Sequence, residues 1–231
     1  MKTLSLVPMI ALGSLITFLT IFSPIKNLIP SSAADKTPEI IKKKTFREFL
    51  NNFDNIDLPY DIDQSDFMEY VANYKGKNKL YSSDRRIHSE FEAFVPGLGT
   101  KFSRVGPNIY LYEAILASSK DAATVIYSSH APYQDYPEYF MVTYDNFGNI
   151  SQKTTFAHRS FKQLTIGAID KTMNVTIKTY TFDYGEEDIR YDKKIDESKL
   201  ILNKITTLKV TKKGEVPSVT PTQKTTENRA K

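Results

Sequence analysis

Tyr144-Asp145-Asn146-Phe147-Gly148-Asn149-Ile150, Ile169-Asp170-Lys171-Thr172-Met173-Asn174-Val175 and Val210-Thr211-Lys212-Lys213-Gly214-Glu215-Val216 share one frame. An apolar residue and a turn-former open it, two variable residues follow, then a position that is glycine twice, and a polar and a β-branched residue close it. A type I turn followed by a left-handed residue produces this frame, with Asp opening the turn and Gly accepting a positive φ. Three tight hairpins are therefore predicted. Met173 stands at the glycine position, where a side chain is strained unless that loop differs.

Outward from these turns, the runs 109–116, 124–128, 138–144, 163–169, 174–184 and 204–210 are rich in β-branched and aromatic residues alternating with polar ones. They read as strands. Within 174–184 the apolar parity switches from Val175 and Ile177 to Tyr180, Phe182 and Tyr184, which predicts a bulge near Lys178. Roughly eight strands joined by hairpins predict a mainly β fold, an antiparallel meander forming a strongly curved sheet or an up-and-down barrel. Two short N-terminal helices cover it. Thr45-Phe46-Arg47-Glu48 has the spacing of a capping box, and Phe46, Phe49, Leu50 and Phe53 form one apolar stripe that must end before Leu58-Pro59. A second helix is expected from Asp66, with Phe67, Tyr70, Val71 and Tyr74 on one face.

The chain has 231 residues, and from Thr3 to Ile25 it carries no charge. Lys2 followed by the apolar run Leu4 to Phe22 is the physical recipe for engaging a translocon. Residues 1–34 read as a signal peptide cut near Ser32-Ala33-Ala34, or as an uncleaved anchor crossing the membrane through residues 4–22. Residues 35–44 are a polar linker, 45–216 a single β-rich domain, and 217–231 a polar tail of disordered composition. The expected location is extracytoplasmic: periplasmic, secreted or membrane-anchored. Absence of cysteine removes disulfides, thiolate metal sites and a lipid-attachment thiol, and leans towards a bacterial cell envelope. The net charge of +4 belongs to the two ends, since residues 35–216 hold equal numbers of acids and bases. A neutral domain gives no basic face for a nucleic acid. The sequons at Asn149 and Asn174 read as chance occurrences.

Phe46, Phe49 and Phe53 ahead of Leu58-Pro59, the segment Tyr139-Phe140-Met141-Val142-Thr143-Tyr144-Asp145 running into Gly148, and the turn Lys212-Lys213-Gly214-Glu215 carry a resemblance. Over residues 45–216 the chain resembles uncharacterised exported β-rich envelope proteins of Gram-negative bacteria. That resemblance implies an extracytoplasmic β-rich module and carries over no functional residue.

Chemistry-bearing motifs are sparse. His88, His130 and His158 lack paired-ligand spacing for zinc, and Asp61-Ile62-Asp63-Gln64-Ser65-Asp66 fails as a calcium loop because Asp66 replaces the needed glycine and Ala72 the bidentate acid. Asp66 reads better as a helix cap. No Gly-x-Ser-x-Gly elbow occurs, and Ser128 and Ser129 beside His130 are adjacent in sequence, which on a strand points neighbours to opposite faces. No catalytic residue, metal ligand or cofactor is expected. The acidic turn Asp183, Glu186, Glu187 and Asp188 reads as a solvated loop.

The connector from Tyr127 to Tyr139 is dense in tyrosine and stiffened by Pro132 and Pro137. Tyrosines present a flat apolar face and a hydroxyl at low entropy cost, so Tyr127, His130, Tyr133, Tyr136 and Tyr139 are the candidate ligand-binding residues. The expected partner is a protein, a peptide or a carbohydrate. The leading expectation is a non-enzymatic binding or structural module of the envelope. The alternatives are an extracytoplasmic hydrolase with a carboxylate and histidine site, or a small-ligand carrier with a barrel cavity.

Overall fold

The computed structural model describes residues 44–73, 83–98, 101–102, 106–132, 134–182 and 194–211. The N-terminal segment 1–34, linker residues 35–43, Tyr74, Tyr133, the acidic turn, the remainder of the third turn frame and the tail 217–231 lie outside them. Among the described residues no helix is long and apolar enough to cross a membrane.

The two described turn frames are built alike. The Asp145 carboxylate accepts from the N–H groups of Phe147 and Asn149, both at 2.9 Å, and from the Asn149 side-chain amide at 2.8 Å. Asp170 does the same for Thr172 and Asn174. Asn149 and Asn174 thus spend their side-chain amides inside the turns, which accounts for asparagine there without glycosylation. Gly148 has φ 85°, and Met173 takes the same left-handed region at φ 65°. Met173 holds that conformation because its side chain packs on the core and its carbonyl accepts the Val210 N–H at 3.0 Å.

These turns join β6 (Glu138–Asp145) to β7 (Ile150–Arg159) and β8 (Gln163–Ile169) to β9 (Asn174–Phe182). With β4 (Ile109–Ser118), β5 (Ala122–His130) and β10 (Leu200–Lys209) they form an antiparallel meander in the order β10-β9-β8-β7-β6-β5-β4, and β1 (Tyr60–Ile62) adds to β8 as an eighth strand. β2 (Lys101–Phe102) and β3 (Gly106–Pro107) pair separately.

The sheet is open and not strongly curled, which corrects the expectation of a strongly curved sheet or barrel. Closure needs the end strands to pair with each other. Instead the outer edge of β4 is taken by other chain segments: Ile87 and Ile56 donate to the carbonyls of Tyr110 and Ile115, and Tyr112 and Ile115 donate to those of Arg85 and Asp54. β8 divides its edge, pairing with β7 only at Leu164 and Thr165 and with β1 from Gly167 to Ile169. The bulge expected near Lys178 lies on the partner strand, because β9 runs regularly and the register shifts between Leu202 and Lys204 of β10.

Each face of the β4–β6 region buries a helix. On one, α1 (Phe46–Leu50) starts with the expected capping box, the Thr45 N–H donating to Glu48 at 2.7 Å. Five residues are too few to hold a helix in water, so packing must hold it. Phe49 is fully buried among Phe91, Phe94, Tyr112 and Tyr144. Removing one such ring from water contributes about 2 kcal/mol. On the other face, α2 (Gln64–Asn73) starts before Asp66, because Asp63 is the cap. Asp63 accepts from the Ser65 N–H at 2.5 Å while its own N–H donates to Asp66 at 2.7 Å. Phe67 of α2 is fully buried against Tyr136 and Tyr139. β5 lies between the two cores and is buried along its whole length.

Candidate functional site

The tyrosine connector is divided between the two faces. Tyr127 pairs with Phe140 and is wholly buried on the α1 face, 6.0 Å from the Tyr110 ring. Ser128 pairs with Tyr139, so His130 and Tyr139 share the α2 face. Tyr136 packs there too, with the Arg159 guanidinium 4.5 Å above its ring. His130 meets the ring of Tyr70 at 5.1 Å. Burial pushes the phenols of Tyr127 and Tyr139 well up. Of the candidate set, the fold brings His130, Tyr136 and Tyr139 to one side and sends Tyr127 to the other.

On the α2 face lies a polar network that sequence spacing concealed. Ser129 does point away from His130, but for Ser128 the expectation of opposite faces is corrected, because it stands two residues before His130 and shares its face. Ser128 Oγ donates to Glu113 Oε1 at 2.5 Å and lies 2.8 Å from His130 Nε2. Arg85 Nη2 donates to Glu113 Oε2 at 2.7 Å, and Arg85 Nε to the Tyr112 carbonyl at 3.0 Å. Glu113 reaches this place because it is the extra residue of a β-bulge between Tyr112 and Ala114, so Glu113 and Ala114 together oppose Ile126. Burial raises the Glu113 carboxyl against the pull of Arg85 and Ser128, and burial lowers the His130 imidazole to about 3. The order is carboxylate, serine, imidazole. A hydrolytic triad needs the carboxylate on the far nitrogen of the histidine, and here Nδ1 of His130 is buried with no hydrogen-bond partner among the described residues. Ser128 is moreover 0% exposed. This network ties the bulge of β4 to β5 and presents no reachable nucleophile.

The other histidines are elsewhere. His88 lines a shallow polar cleft beside α1 with Glu90 and Arg86. Among the described residues no three His, Asp or Glu side chains are placed to hold a metal ion.

His158 lies in a cleft of about 380 Å³ that opens where β7 and β8 part. Glu138, Thr154, Thr155 and His158 of β6 and β7 form one wall, and Gln163, Thr165, Thr179, Lys204 and Thr206 of β8 to β10 the other, over Ile177. Register explains the convergence. Ser129 pairs with Glu138, Glu138 with His158, His158 with Thr165, Thr165 with Thr179, and Thr179 with Lys204. Directly opposed residues present their side chains on one face, so this polar row runs across six strands. Glu138 accepts from Thr155 Oγ1 at 3.1 Å, and the hydroxyls of Thr165 and Thr179 are 3.3 Å apart. Burial lowers the His158 imidazole, with Glu138 pulling it back up, and its Nδ1 is buried with no hydrogen-bond partner among the described residues. The row was readable only with the register in hand, because its members are scattered from 129 to 204.

No protein-family model, curated protein or solved structure matches the chain.

Proposed function

We propose that this chain is an extracytoplasmic binding module of the bacterial cell envelope, and that its ligand surface is the cleft between β7 and β8. The observation that carries the reading is the polar row from Ser129 to Lys204 ending in a cleft of about 380 Å³. That size lies within the range of small-molecule sites, about 300–1,000 Å³. Its walls are strands of one sheet, so the site needs little ordering when a ligand arrives. The charge-free N-terminal run supports export.

A photo-crosslinking side chain at Thr206, which lines the cleft, tests this against one at Thr207, its neighbour on the opposite face. In the native host a mass adduct is expected from Thr206 and not from Thr207. Equal yields from both positions, or none from Thr206, overturn the assignment of the cleft.

A hydrolase built on Glu113, Ser128 and His130 is the second reading, favoured by the short contacts at Ser128. The 0% exposure of Ser128 weighs against it. A fluorophosphonate probe is expected to leave Ser128 unlabelled, and labelling that disappears in Ser128→Ala reverses the ranking of the two readings.

A further inference from the structure

We infer that the ligand of the β7/β8 cleft is a neutral saccharide; this rests on the cleft being the ligand surface. Charge narrows the class first. Among the described residues Glu138 is the one carboxylate and Lys204 the one amine lining the cleft, and burial holds the third titratable group, the His158 imidazole, towards its neutral form, so the formal charges cancel. A polyanion such as a phosphate-rich polymer finds one lysine facing one carboxylate, and a polycation finds the reverse.

Hydrogen-bond capacity narrows it further. The threonine hydroxyls at 154 and 206 and the Gln163 amide can both donate and accept, while those at 155, 165 and 179, which already bond to Glu138 or to each other, keep acceptor capacity for a ligand. Sugar hydroxyls have that same dual character. Glu138 supplies the charged acceptor that makes a hydroxyl contact stronger than a neutral one.

Shape adds an apolar element. Gln163 pairs with Thr181 and Thr181 with Ile201, the next row along the same face. Ile201 is 57% exposed. It gives the C–H face of a sugar ring a surface to lie on, beside a floor of hydroxyls.

The test is binding of the full-length chain to an array carrying neutral glycans, acidic glycans and unmodified peptides, with variants Glu138→Gln and Thr179→Val and the surface control Lys171→Ala. Retention on neutral glycans is expected. Each cleft variant should weaken it roughly tenfold, the loss of about one good hydrogen bond. Lys171→Ala, on an exposed turn, should leave it unchanged. Melting curves for each variant show that the fold is kept. Cleft-dependent binding to acidic glycans or peptides alone overturns the ligand class while leaving the cleft as the ligand surface. An array without cleft-dependent signal, beside a Thr206 crosslink, does the same. No array signal and no Thr206 crosslink overturn both.

Discussion

Asp145 and Asp170 each gather the donors of a whole turn onto one exposed carboxylate, and those donors hold both groups below the ordinary value of 3.8. A depressed carboxyl stabilises the fold above its unfolded value and stops doing so as pH falls through its folded one. Asp170→Ala should therefore melt earlier at pH 7, and its deficit should narrow as pH drops below 3.8. His130 works with the opposite form of charge but the same sense. Its buried ring refuses the proton that the unfolded chain takes up near 6.5, so stability falls as pH goes from 6.5 towards 3. Thermal melts across that window should show a shallower acid limb for His130→Gln than for the unaltered chain. At Gly148 a Cβ would lie 2.7 Å from the Phe94 ring and sit at φ 85°, so Gly148→Ala should cost about 1–3 kcal/mol in denaturant unfolding. Aspartate and glycine in these turns were legible in the sequence because turn chemistry is local. The partnership of Ser128 with Glu113 was not, because a bulge fifteen positions away in the chain decides where Glu113 points.

Strands and helices were legible to the extent that their apolar faces repeat. β4, β5, β6, β8, β9 and β10 fall on the β-branched and aromatic runs of the sequence, and α1 begins at its capping box. β7 escaped notice because Ser151, Gln152, Lys153, Thr154 and Thr155 give it a polar first half. That half lies beyond the point where β7 leaves β8, so it needs no apolar face towards that neighbour. Bulges are the other hidden feature. Phe156 is the extra residue between the pairs of Tyr139 and Phe140, and it leans onto β8 where Gly167 leaves room. A Cβ at Gly167 would stand 2.6 Å from the Phe156 carbonyl oxygen. Backbone cannot yield as a side chain can, so Gly167→Ala should cost towards the upper end of about 1–3 kcal/mol. Phe49→Ala should cost about 3–5 kcal/mol, since it removes the ring around which α1 docks. Chemical denaturation of the two variants measures both losses.

Across the whole molecule, the antiparallel meander and its covering helices followed from hairpin frames and capping residues, whereas openness did not. Whether a sheet closes depends on what occupies its edges, and here segments 54–56 and 85–87 lie along β4 while β1 takes half of β8. The same division of β8 parts it from β7 and makes the cleft, so the feature that prevents a barrel also creates the proposed binding surface. Because the natural chain has no cysteine, a single introduced thiol reports on both place and occupancy. Lys171→Cys, on an exposed turn, and Thr179→Cys, in the cleft, are to be treated with a membrane-impermeant maleimide in outer-membrane-permeabilised cells and after purification. Labelling of Lys171→Cys in the permeabilised cells, with Thr179→Cys protected there and reactive once purified, is the expected result. Silence of Lys171→Cys until the cells are lysed contradicts the extracytoplasmic location, and equal reactivity of Thr179→Cys in cells and in isolation contradicts a ligand in the cleft.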